Sequence, residues 1–225
     1  MKNAIIFGNT SFSKMVKYYI EKYTDINIVG FCVNQVYVSE PIIDNIPVIP
    51  FETIKKKYPP DKYDFFIAIG NNSMNTVREK VYNNISNKGY SILNFIHPSA
   101  VIENAFIGHG NIILENVSIG YNVKIGNGNV IWNGVTLSHE DSIGNFNYIA
   151  PACALAGRVT IKDNCFLGIN CTIKNDITIK SYSLIGAGCY INKSTQEKDV
   201  FITTSTLHLS EKNSLDFCRG KSTAL

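Results

Sequence analysis

The chain has 225 residues, 45% of them hydrophobic and 17% charged, with a formal net charge of +3. That is enough apolar material for one large or two small globular domains, and it excludes a disordered chain. A charge this small, with basic and acidic residues evenly mixed, argues against a nucleic-acid or membrane-binding surface. No apolar run reaches the length of a membrane span, and the first residues lack the apolar core of a secretory signal. The six cysteines show neither CxxC pairing nor the dense spacing of a disulfide framework, so a reducing cytoplasm is the expected location.

From Asn3 to about Phe95, short apolar runs alternate with longer amphipathic ones. Ala4 to Phe7 reads as a buried strand, Gly8 to Ser11 as a turn, and Phe12 to Tyr23 as a helix. A strand follows at Ile26 to Val33 and another at Ile46 to Ile49. The next helix, Phe51 to Tyr58, is stopped by Pro59 and Pro60, which cannot continue the backbone bonding. Asp64 to Ile69 is a further strand; Gly70 to Ser73 then turns into a long helix reaching about Lys88, with a strand near Ile92 to Phe95. Such alternation predicts a small α/β, Rossmann-like domain at 1–94 with a parallel sheet and ligand-binding turns at Gly8 to Lys14 and Gly70 to Ser73.

Beyond residue 95 the period becomes six. Ile107, Ile113, Ile119, Ile125, Ile131, Leu137, Ile143, Ile149, Leu155, Ile161, Leu167, Ile173, Ile179, Ile185 and Ile191 are fifteen consecutive matches, all Ile or Leu. Four residues after the repeat position the side chains are mostly small or β-branched, with Asn111, Asn129, Asp141 and Asn147 as polar exceptions. This predicts a parallel β-helix over 95–196, with three hexapeptides per coil and between five and six coils. The tail is 197–225. Cys153, Cys165, Cys171 and Cys189 occupy the small-residue position and read as packing residues.

Residues eighteen apart stack on one side of such a helix, so Glu103, Tyr121, His139, Gly157 and Asn175 form a column, two residues after the inward Ile or Leu. An outward histidine beside a carboxylate, as in His139-Glu140, suits a general base whose ring is oriented by the acid. A solvated surface pair is the plainer alternative. Gly157, one coil on, leaves its backbone N–H open to a developing oxyanion, or simply makes a turn. His109 falls on another side, His97 starts the first coil, and His208 lies in the tail. No spacing of histidines or carboxylates suggests a metal site.

Four segments in order, Tyr63-Asp-Phe-Phe-Ile-Ala-Ile-Gly-Asn-Asn72, Phe95-Ile-His-Pro-Ser-Ala-Val-Ile102, Ser138-His-Glu140 and Asn164-Cys-Phe-Leu-Gly-Ile-Asn170, resemble the hexapeptide acyltransferases. Up to about residue 200 the chain is similar to the branch that acetylates nucleotide-linked amino sugars and sialic acids, above all the bacillosamine-pathway N-acetyltransferases. The resemblance implies a left-handed β-helix, acetyl-CoA as acyl donor, a nucleotide-linked amino sugar as acceptor, and a homotrimer with CoA in the groove between subunits. It implies His139 as the base, Glu140 as the acid that supports it, and the Gly157 amide as donor to the acetyl carbonyl. Tyr148, Ile169 and Ala187 match CoA contacts, with Gly186 and Gly188 allowing close approach. Gly8, Asn9, Thr10 and Ser11, with Val33, Asn34 and Gly70, match the nucleotide-sugar site.

The chain departs from the family's pattern in three places. The usual Gly-x-x-Gly-His-Gly/Ala-Lys turn is Gly8-Asn-Thr-Ser-Phe-Ser-Lys14, the acidic pair after the second strand is replaced within Cys32-Val-Asn-Gln35, and the closing Gly-x-Pro-Ala turn is absent from Val200 to Thr206. A sugar O-acetyltransferase keeps the same fold with a hydroxyl acceptor, and a non-catalytic β-helix binding protein is the alternative from another class.

Overall fold

The computed structural model describes residues 2–204. The N-terminal domain has strands β1 (Lys2–Phe7), β2 (Ile26–Val33), β3 (Ile42–Ile43), β4 (Ile46–Pro50) and β5 (Tyr63–Ile67), and helices α1 (Ser11–Tyr23) and α2 (Thr76–Asn87). The sheet order is β3-β4-β2-β1-β5, parallel except for the antiparallel edge pair β3–β4. β1 is an inner strand, between β2 and β5, and carries Ala4, Ile5 and Ile6, all fully buried, because helices or turns cover both faces of the sheet.

Three sequence expectations shift. Phe51 begins a 3₁₀ helix, Phe51–Lys56, with Phe51 and Ile54 tucked against the sheet. The helix expected from Gly70 starts only at Thr76, because Ser73, Met74 and Asn75 all adopt left-handed backbone angles. The strand near Ile92 reduces to a single bridge with Phe65, and Phe95–Ile96 already pairs with Ile112–Ile113 as the first rung of the second domain.

That second domain is a left-handed parallel β-helix of two-residue strands, stacked in three sheets as a triangular prism. The first face runs from Phe95–Ile96 to Val200–Phe201, the second from Val101–Ile102 to Tyr190–Ile191, and the third from Phe106–Ile107 to Thr178–Ile179. Of the fifteen repeat positions all are buried except Ile107, which lies towards one end of the prism and is partly covered. Val200–Phe201 pairs with Leu184–Ile185, so the last rung lies in what the sequence marks as the tail. His208, Cys218 and the rest of that tail from 205 lie outside the described residues.

The edges of the prism have their own chemistry. Where the third face turns into the first, Asn111, Asn129 and Asn147 are buried in one column, and each side-chain oxygen accepts the N–H of the residue one coil on, at 2.7–2.9 Å. The amide nitrogens of Asn111 and Asn129 find acceptors as well, whereas that of Asn147 is buried without one. Cys153, Cys165, Cys171 and Cys189 are free thiols in the core, as the packing reading expects.

The N-terminal domain docks on the first face. Phe12 stacks on Trp132, and Tyr19 stacks on Phe95 and donates to Glu115. Arg78 of α2, only 1% exposed, donates to the carbonyls of Ile69 and Gly70 in its own domain and of Gly128, Phe146 and Asn147 in the β-helix. Among the described residues no carboxylate joins it, and burial lowers its pKa to about 9. Asn75 adds a bond to the Cys165 carbonyl at 2.9 Å.

Candidate active site

His139 stands where the second face turns into the third, on the edge opposite the docked domain. Glu140 follows it with φ 61°, as Asn122, Arg158 and Asp176 do at the same corner of neighbouring coils. The Glu140 N–H bonds the Tyr121 carbonyl and the Arg158 N–H bonds the His139 carbonyl, so this column is tied coil to coil. From Tyr121 to Asn175 the register inferred from eighteen-residue spacing is the register of the fold; in the first coil it slips by one, because Ile102 pairs with Ile119, so Glu103 lies level with Gly120 and outside the column.

His139 Nδ1 lies 3.1 Å from Glu140 Oε2, with both side chains about half exposed. This contact sets the proton on Nδ1 and leaves Nε2 as the proton acceptor. The ring extends over Gly157, where a Cβ would come within 2.5 Å of the imidazole Cε1. Gly157 is therefore required by the histidine as well as by any ligand. Its N–H has no acceptor among the described residues, whereas those of Ala156 and Arg158 on either side are bonded. An imidazole nitrogen open to a proton and an unpaired amide donor thus share one edge of a rigid scaffold, two groups that acyl transfer can use. Arg158 beside them forms a bidentate pair with Asp176, Nε–Oδ1 2.6 Å and Nη2–Oδ2 3.0 Å, which holds the Asp176 carboxyl below its usual range.

The matched CoA positions lie elsewhere on the prism. Ile169, 56% exposed, and Ala187 are stacked where the first face turns into the second, flanked by Gly186 and Gly188. Gly186 leaves room that a Cβ would fill 2.9 Å from the Phe201 carbonyl, and Gly188 has φ +70°. Tyr148 is on the first face, stacked on Phe166 and next to Trp132, partly beneath the docked domain.

The matched nucleotide-sugar residues gather in a cleft of about 310 Å³ at the C-terminal ends of β1 and β2, lined by Gly8, Asn9, Thr10, Val33 and Asn34. Gly8, with φ +130°, is packed so closely that a Cβ would reach 2.7 Å from the Ala68 carbonyl. Ser11 opens α1 with an exposed side chain outside the lining, and Gly70 adjoins it, its carbonyl taken by Arg78. Asn72, within the ligand-binding turn expected at Gly70 to Ser73, also lines the cleft, whereas sequence reasoning missed Tyr37, Ile69 and Val77. Tyr37 is 65% exposed on a 3₁₀ turn that no periodicity announces. Among the described residues no cluster of three or more metal-ligating side chains occurs, and no helix is long and apolar enough to cross a membrane.

Hexapeptide coils with a histidine over a bare glycine amide at one edge define an acyltransferase of the hexapeptide-repeat class. Residues 3–85 match the family described as PglD N-terminal domain, and residues 104–139 and 158–193 match the bacterial transferase hexapeptide repeats. The chain thus carries a PglD-type N-terminal domain followed by bacterial transferase hexapeptide repeats.

Solved structures share this architecture. The acetyltransferase domain of PglB from Neisseria gonorrhoeae FA1090 superposes with a TM-score of 0.79 at 20% identity, over 89% of this chain and 96% of that one. PerB from Caulobacter crescentus, in complex with CoA and GDP-perosamine, gives 0.77 at 24% identity over 89% and 93%. WeeI from Acinetobacter baumannii AYE gives 0.78 at 22% over 89% and 96%. At these identities the likeness is one of fold.

Proposed function

We propose that the chain transfers an acetyl group from acetyl-CoA to the amino group of a nucleotide-linked amino sugar. The observation that carries this reading is the His139–Glu140 pair with its Nε2 over the unpaired Gly157 amide. The amine attacks the thioester carbonyl and a C–N bond forms while His139 Nε2 takes the amine proton. The Gly157 N–H stabilises the oxyanion, and Glu140 stabilises the imidazolium. The C–S bond then breaks, and the proton passes from His139 to the departing CoA sulfur. No covalent acyl-enzyme is involved, and much of the rate comes from holding two substrates together on a rigid surface. The reaction is cytoplasmic, where acetyl-CoA is made and used.

A homotrimer completes the site. The cleft at Gly8 lies in the first domain, and the edge with Ile169 and Ala187 and the edge with His139 are different corners of the prism. Association side by side brings the His139 edge of one subunit against the Ile169 edge of the next and closes a groove deep enough for CoA. The CoA and GDP-perosamine bound to PerB support the same pair of substrate classes here.

The test is CoA-thiol release from acetyl-CoA against UDP-, GDP- and dTDP-linked amino sugars, with His139→Ala in parallel. Release with one amino sugar that vanishes in the variant is the expected result. Release only with hydroxyl acceptors moves the activity to O-acetylation, and silence with both sinks the proposal.

A further inference from the structure

A regular backbone ladder runs along the edge that carries His139. The Glu103 N–H bonds Ile119 O, Gly120 bonds Leu137, Ala156 bonds Ile173 and Lys174 bonds Ile191, all at 2.9–3.0 Å. Among the described residues this series breaks at one place, Ser138. Its N–H turns instead to Asp141 Oδ2 at 2.8 Å, and its hydroxyl takes over the Leu155 carbonyl at 2.6 Å.

Asp141 is also out of pattern. The same edge position in the other coils holds Ala105, Val123, Val159 and Ile177, all apolar, yet Asp141 is a carboxylate only 1% exposed. Its second oxygen accepts the Val159 N–H at 2.8 Å. The equivalent N–H of Val123 makes a longer turn bond to Gly120 O at 3.4 Å, so this corner can close without a carboxylate. A buried carboxylate is costly beside a valine. Its two bonds pin both ends of the stretch bearing His139 and Glu140 and link it to the coil that supplies Gly157.

We infer that Ser138 and Asp141 are positioning residues that rebuild this turn so that the His139 imidazole lies over Gly157. The inference rests on the reading of His139 as the base. Burial pushes the Asp141 carboxyl up to about 7, while its two amide donors favour the ionised form. The charged groups around this edge are His139 and Glu140 on the same turn and Arg158 and Asp176 on the coils beyond; inside the prism its stacked neighbours are Val123 and Val159.

Ser138→Ala, Asp141→Asn and Asp141→Val, with His139→Ala as reference, test this in the full-length protein. Turnover, measured with the acceptor that the amino-sugar panel identifies, should fall between about 10- and 100-fold in each, with the KM for acetyl-CoA within about twofold. The melting temperature of Asp141→Val should stay level or rise, since a merely structural carboxylate would lower it. The pH titration of the His139 ring, followed by NMR without any acceptor, should change in Asp141→Asn. Wild-type turnover and an unchanged ring titration, with His139→Ala inactive, overturn the positioning role alone. A loss that only tracks a lowered melting temperature overturns it as well. An active His139→Ala removes the base reading first.

Discussion

The His139 imidazole fills the space that a side chain at residue 157 would need, so the proposed base and the proposed oxyanion donor are fitted to each other across one coil of the β-helix. Gly157 does not adopt a left-handed backbone, so alanine is compatible with its conformation and collides only with the ring. Gly157→Ala should fold with a melting temperature near wild type and lose turnover by about 100-fold through displacement of the imidazole. Thermal melts alongside steady-state kinetics check this; near-normal turnover would show that the ring is free to move aside.

The proposed sharing of the site between subunits gives a second prediction. His139→Ala and Ile169→Asp damage opposite edges of the prism. Each homomer should be nearly inactive, and co-refolded or co-expressed mixtures should recover activity, because some interfaces then pair an intact His139 with an intact Ile169. Mixed assemblies that stay inactive although both variants are present would place the whole site within one chain.

The docking of the two domains hangs on Arg78. Removing its guanidinium takes a donor from five carbonyls, of which those of Gly128 and Phe146 are buried and keep no other partner, at about 1–3 kcal/mol for each one that water does not reach. Arg78→Ala should therefore cost at least about 3 kcal/mol. Arg78→Lys should recover only part of that, because an ammonium lacks the planar fork that reaches both domains. Chemical denaturation measures the loss, and limited proteolysis between residues 88 and 95 reports separation of the domains.

Asp141 makes stability depend on pH. Its folded pKa is raised from 3.8 to about 7 by burial, so the native state holds this proton more tightly than the unfolded chain. Its contribution to stability is greatest below about pH 4, falls as pH rises towards 7, and is flat above. Asp141→Asn lacks this titration. The melting temperature of the variant relative to wild type should therefore increase between pH 5 and pH 8, and a constant difference would mean that the carboxyl titrates normally.

Much of this was legible in the chain. A repeat of six is a local rule that each coil obeys by stacking on the one before, so the inward Ile and Leu positions, the buried cysteines and the stacking of His139 on Gly157 all follow from counting. The cleft could be placed through the turns at Gly8 and at Gly70 to Ser73, because parallel strands gather their C-terminal turns at one end of a sheet. Tyr37 was not legible, since it comes from an irregular turn. The start of α2 was displaced because three successive residues, Ser73 to Asn75, take left-handed angles that no glycine signals.

The sequence by itself determined the prism and, beyond the first coil, where the pairing slips to seventeen residues, its register and corner residues, because those depend on neighbours six and eighteen apart. Only the tertiary structure decided which face the first domain covers, that Arg78 locks it there, and that Ser138 and Asp141 replace a ladder bond beneath His139. The three faces share one repeat, so nothing in its period distinguishes them. The choice among them is made by buried polar groups that find their partners only once the chain has folded.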